Sequence, residues 1–273
     1  MQTPTLPHQP EPADFDAFWD AVATELAHTE VAPEVELLPL RSSAEALVYG
    51  VRFTSIGPYR LFAYYVQPPP AVGAGPRGVE VQLAGYGSVV HVPVGDLDHR
   101  WPEQRAVLTL CHRGQRLSDR PYAAAYPGLL TDGIESPESY AYRGIVADAC
   151  RAVDFLLSRP PEEVDHGAIT VTGNDVALFV AALRGREVAG ARAAPSMFYR
   201  LADVLPTTND YPLAEFNDYL RTYPEHAADM ARTLGYFDPL AAARRAACPV
   251  HVGDDEFLAP LRAALGANLA PSP

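Results

Sequence analysis

Between Ile169 and Ala177 the chain reads Ile-Thr-Val-Thr-Gly-Asn-Asp-Val-Ala. A strand entering a tight turn with small flanking residues, here Gly173 and Ala177, can lift one side chain above a sheet as a nucleophile. The residue at the lifted position is Asp175. Leu178 and Phe179 follow it, where glycines would let the turn approach its neighbours closely. A carboxylate placed there could attack an alkyl carbon, provided a histidine activates the water that releases the resulting ester. The reading preferred here is that Asp175 caps helix Val176–Leu183, its carboxylate accepting hydrogen bonds from the first free amides.

Few other residues offer chemistry. Ser88 and His91 could form a substitute nucleophile–base dyad, although two such residues on one loop are common by chance. His251 alternates with Val250 and Val252 and reads as a satisfied structural histidine, as does His112. Arg113 reads as an arginine tying loops together rather than as an anion site. Tyr122, Tyr126, Tyr140 and Tyr142 could line a sugar pocket, but core or interface packing is the default for aromatic rings. Cys111, Cys150 and Cys248 are far apart in apolar segments. They read as buried thiols with neither metal-type pairing nor a disulfide framework. No metal and no cofactor is implied.

Composition narrows the function further. The net charge is −13, and all 21 basic residues are arginine. An acidic surface argues against nucleic acid and anionic membranes as partners, because phosphate contacts need a basic face. No run approaches the roughly 18 apolar residues of a membrane helix. The N-terminus has neither a basic start nor an apolar stretch, so a cytoplasmic location is expected.

The elements that must position these residues follow from periodicity. Asp14 to His28 places Phe15, Phe18, Trp19, Val22 and Leu26 on one helical face. Strand-like runs at Val35–Leu40, Leu47–Ser55 and Tyr59–Gln67 come next, and Pro68 to Gly78 reads as a surface loop. Val79–Ala84, Ala106–Leu110, Ile169–Thr172 and Pro249–Val252 read as buried strands, with an amphipathic helix over Tyr140–Leu157. Strands alternating with helices predict an α/β fold, a mostly parallel central sheet with helices on both faces. A single domain over 1–273 is expected, with an N-terminal helix and additional strands in 1–75 and a core in 76–273.

Several stretches, in order, resemble the acetylxylan esterase/cephalosporin C deacetylase family of carbohydrate esterases. They are Asp14-Phe-Asp-Ala-Phe-Trp19, Gly85-Tyr86-Gly87, Arg113-Gly114-Gln115, Gly128 to Ile134, Tyr142-Arg143, Arg151 to Asp154, Pro161 to Asp165 and Thr233 to Asp238. The resemblance implies an α/β-hydrolase fold truncated at its C-terminal edge, a Ser-His-Asp triad, deacetylation of sugars or cephalosporin, and ring-shaped oligomers. It places the triad acid at Asp255, with Asp254 as fallback, and one oxyanion donor at the Tyr86 backbone amide. It places Asp175 where the nucleophilic serine belongs. It also sets the histidine after a further strand, beyond Pro273. Serine and histidine together supply nucleophile and proton shuttle. Lacking both at their family positions, the chain is expected to be a catalytically degenerate member with a binding, scaffolding or assembly role. The alternative is an active hydrolase or deacetylase of acetylated sugars or another small ester, with a rebuilt site using Asp175 or Ser88. Expected partners are a second copy of the chain, a hetero-assembly with an active relative, or a small acetylated sugar. The strand at Pro249–Val252 becomes a sheet edge on this reading. A tail helix Ala259–Leu269 is expected to pack near it.

Overall fold

The computed structural model describes residues 5–69, 75–87, 105–115, 117–118 and 124–271. Ser88, His91 and Tyr122 lie outside the described residues. Helix α1 spans Phe15–His28 and is followed by strands β1 (Glu34–Leu37), β2 (Leu47–Ser55), β3 (Tyr59–Gln67), β4 (Arg77–Leu83) and β5 (Ala106–Cys111). Then come α2 (Ala141–Leu157), β6 (Val164–Gly173), α3 (Asp175–Leu183), β7 (Gly190–Ala193) and α4 (Leu201–Val204). Helices α5 (Ala214–Thr222), α6 (Ala227–Gly235) and α7 (Pro239–Arg244) lead to β8 (Val250–Val252) and α8 (Ala259–Leu265).

The strands form one sheet in the order β1-β2-β3-β5-β4-β6-β7-β8. β1, β2, β3 and β5 pair antiparallel, and β5, β4, β6, β7 and β8 pair parallel. The long apolar face of α2 lies over the sheet and carries Ile145, Ala149, Val153 and Leu156 into the core. Trp19 of α1 reaches Phe179 of α3 at a ring separation of 5.1 Å and donates its indole N–H to the Tyr236 carbonyl at 3.0 Å. This joins the N-terminal helix to the segment after α6.

Three elements differ from expectation. β1 ends at Leu37 because Pro39, which fixes φ and has no N–H, opens a 3-10 turn over Pro39–Arg41. β7, Gly-Ala-Arg-Ala, carries no strand signal, and is a strand because its neighbours β6 and β8 offer hydrogen bonds on both sides. The tail helix stops at Leu265, where Gly266 takes φ +54. The chain then returns to β8: Leu269 bridges Val250, and the Ala270 amide donates to the Val250 carbonyl at 2.8 Å. The outer side of β8 is thus paired by the chain's own tail.

Candidate functional site

The C-terminal ends of parallel strands collect the loops in which α/β sheets place their ligands. Here they deliver Gly85 and Tyr86 after β4, Asn174 at the end of β6 and Ser196 after β7. With Met197 and the segment Thr208 to Leu213 they enclose a cleft of about 380 Å³. Tyr86 and Tyr211 stand edge to face in it at 5.4 Å.

Asp175 does not open into this cleft. It is fully buried. One carboxylate oxygen accepts the Ser196 and Met197 amides at 2.9 Å each, and the other accepts the Phe198 amide at 3.1 Å. Burial pushes its pKa above the ordinary carboxylate value, and the three amides pull against that shift. The expected cap is corrected as well. Asn174 is the N-cap of α3, its side-chain oxygen accepting the Val176 amide at 3.0 Å. The helix-capping role moves one residue upstream, and Asp175 instead ties the start of α3 to the loop after β7. Asn174 has φ −88 and ψ −146, and the positive-φ non-glycine residues among those described are Ala32 and Arg200.

Asp255 is exposed. Its carboxylate accepts the Phe257 amide at 2.8 Å and caps the 3-10 turn Glu256–Leu258, while its carbonyl accepts from Arg262 at 2.8 Å. No histidine is hydrogen-bonded to Asp255 or Asp175 among the described residues. His251 is half-buried, with an Nδ1 that lacks a partner among the described residues. His112 donates from Nδ1–H to the Arg113 carbonyl at 2.6 Å. Burial lowers its pKa, so it stays neutral near pH 7.

Arg113 is committed to structure. Its guanidinium pairs with the fully buried Asp148 at 2.7 and 2.9 Å, donates to the Ile56 carbonyl at 3.0 Å, and lies 5.0 Å from the Tyr59 ring centre. Tyr140 and Tyr142 are buried, and Tyr140 donates to the Leu130 carbonyl at 2.7 Å. Among the described residues no group of histidines, cysteines and carboxylates could hold a metal ion.

The sequence reading missed Glu215, which fixes one wall of the cleft. The Tyr86 hydroxyl donates to one Glu215 oxygen, the Leu130 amide donates to the other at 3.0 Å, and the Leu129 amide donates to the Tyr86 oxygen at 3.0 Å. A Cβ on Gly128 would stand 2.3 Å from that carboxylate, so glycine there leaves room for it. Glu215 is a lone acid in the first turn of α5, which no local pattern distinguishes. Burial raises its pKa above the ordinary 4.5 despite the hydrogen bonds from Tyr86 and Leu130. An acid with a raised pKa in the fold stabilises it fully below the unfolded value and loses that contribution as pH rises through the folded value. Wild type should therefore lose stability relative to Glu215→Gln as pH rises from about 4.5. Urea titrations of both proteins across that window measure the difference. A gap that stays constant with pH would contradict the raised value.

The same architecture occurs in known proteins. An acetyl xylan esterase from Paenibacillus sp. R4 superposes with a TM-score of 0.78 at 26% identity, over 97% of this chain and 87% of that one. Acetyl xylan esterase 1 from Thermoanaerobacterium sp. JW/SL YS485 gives 0.77 at 22% identity, over the same shares of the two chains. The fold is mixed α/β of the α/β-hydrolase type. Acetyl esterase Axe7A from Xylanibacter ruminicola is 22% identical over 265 residues, which cover 90% of this chain and 56% of that protein. The chain thus spans little more than half the length of this curated relative. The family model for acetyl xylan esterase matches residues 5–256, from ahead of α1 to past β8 and through every strand end that forms the cleft, so the chain belongs to the acetyl xylan esterase family.

Proposed function

We propose that this member of the family binds a small acetylated sugar in the cleft without hydrolysing it. The observation that carries this reading is the enclosure of Asp175, at the nucleophile position, by three backbone amides. Acyl transfer needs an exposed nucleophile, a base within reach of it and donors facing the developing oxyanion. Asp175 has its acceptor capacity directed at the protein and is shielded from a ligand. Attack by a carboxylate on an acetyl ester would also form a tetrahedral intermediate that expels the carboxylate, a far better leaving group than the sugar alkoxide. It so reverts to the ester instead of releasing the sugar to give a mixed anhydride.

Binding requires less than catalysis. The cleft supplies aromatic edges from Tyr86 and Tyr211 and hydrogen-bonding groups from Asn174, Ser196, Thr208 and Asp210. That mixture of apolar and polar surface suits a sugar ring bearing an acetyl group. The purified protein is expected to hydrolyse p-nitrophenyl acetate and acetylated xylobiose no faster than buffer. Calorimetry is expected to detect binding of acetylated xylobiose that Tyr211→Ala weakens. Saturable turnover abolished by Asp255→Ala or Tyr86→Phe would overturn the non-catalytic reading. Native mass measurement would show whether binding occurs in a homo-oligomer or in an assembly with another chain.

A further inference from the structure

The opposite end of the sheet carries a second recess. β3 runs antiparallel to β5 with Val66 opposite Val107, so Tyr65 and Gln67 lie beside the start of β5, away from the strand ends that form the cleft. Around them is a pocket of about 220 Å³ whose walls include Tyr49, Tyr65 and Phe155, with Gln67, Arg159 and Glu163 contributing polar groups. The Tyr49 and Tyr65 rings stand 6.4 Å apart, inclined by 38°.

Tyr65 is 6% exposed, and its hydroxyl, which has no hydrogen-bond partner among the described residues, is not one of the buried polar atoms and so reaches the open space of the pocket. Water or a ligand in that space can meet it. Burial pushes its pKa up to about 12, which keeps it a neutral donor and acceptor. Gln67 accepts from Arg77 at 3.3 Å through its oxygen, leaving its amide N–H groups available. Arg159 and Glu163 are paired at 2.6 Å, so their charges cancel and the pocket favours neither cation nor anion. The volume lies below the roughly 300 Å³ at which pockets begin to hold drug-sized molecules. It suits one ring.

We propose that this pocket is a second binding site, for a single neutral polyhydroxylated ring of the pyranose type. The half-buried Tyr49 ring meets the ligand's C–H surface, and Phe155, stacked on Phe53 at 5.3 Å and fully buried, forms the apolar floor beneath the pocket. The Tyr65 hydroxyl and the Gln67 amide meet its hydroxyl groups. The site is independent of what the cleft binds, because no residue lines both.

The test is calorimetry and ligand-observed NMR on the full chain with methyl β-D-glucopyranoside, and with p-cresol as a ring bearing one hydroxyl. Saturable binding of the glucoside is expected at millimolar concentration. Tyr65→Phe should weaken it roughly fivefold or more, the equivalent of one lost hydrogen bond. Tyr65→Phe removes a hydroxyl with no partner among the described residues and should leave the melting temperature unchanged, so the loss reads binding rather than folding. Tyr211→Ala, in the distant cleft, should leave glucoside binding at the wild-type level. Four results would each overturn the proposal: no saturation at any concentration to about 100 mM, equal affinity in Tyr65→Phe, loss in Tyr211→Ala instead, or binding of p-cresol in preference to the glucoside.

Discussion

Replacing Arg113 with leucine is expected to destabilise the protein by about 3–5 kcal/mol, the largest effect of any single change considered, because it strands a buried charge. Asp148 has no exposed surface, and among the described residues each of its hydrogen bonds comes from Arg113: two from the guanidinium and one from the backbone amide at 2.9 Å. Leucine keeps the amide bond but leaves most of the carboxylate's charge uncompensated. The double change Arg113→Leu with Asp148→Leu should recover part of the loss, because replacing both partners of a buried pair by apolar groups is often close to neutral. Recovery stays incomplete, since the Arg113 amide then loses its acceptor. The same geometry inverts an ordinary rule at Gly144. Alanine there would normally favour a helix by about 1 kcal/mol, but its Cβ would stand 2.3 Å from the Arg113 guanidinium. Gly144→Ala should therefore destabilise. Denaturant unfolding of these three variants beside wild type is the measurement. A loss below about 1 kcal/mol for Arg113→Leu would mean Asp148 finds water or another partner.

Much of this architecture is legible in the sequence where local patterning and tertiary need coincide. Leu47–Ser55 and Tyr59–Gln67 are rich in β-branched and aromatic residues, and they are strands with those bounds. The face of α2 repeats at helical spacing, and that face is buried. Legibility fails where the deciding partner is distant in the chain. β7 is four residues of weak propensity held by β6 and β8. Glu215 gains its place from Tyr86 and Leu130, 129 and 85 residues away. Asp175 is the instructive case. Local reasoning assigns it to the nearest free amides, those of its own helix. Asn174 holds that position, and the amides Asp175 accepts lie 21 to 23 residues on, in a loop whose path depends on the whole sheet.

That placement gives Asp175→Ala an expected cost of about 2–5 kcal/mol. Truncation leaves the Ser196, Met197 and Phe198 amides without their acceptor. Ser196 is exposed at the cleft and its amide can turn to water, whereas Met197 and Phe198 are buried, so most of the cost falls on those two. The relief of no longer burying a carboxylate offsets part of it, which keeps the total below the sum of three orphaned donors. At two to four degrees per kcal/mol for a chain of this size, the melting temperature should fall by roughly 5–15 °C. Asp175→Asn should be intermediate, because its single oxygen faces three donors and its amino group meets at least one of them. Asp175→Ser bears directly on function. It restores the residue type that the family resemblance expects at this position, but its single oxygen, one bond nearer the backbone, cannot accept all three loop amides. It should behave like alanine in stability and gain no esterase activity. Hydrogen exchange at the Met197 and Phe198 amides gives the local readout: both should lose protection in Asp175→Ala before the rest of the sheet does. If Asp175→Ala unfolds within 0.5 kcal/mol of wild type, or Asp175→Ser turns over p-nitrophenyl acetate, the carboxylate is not the strut its three amides describe, and the turn after β6 has kept its chemistry.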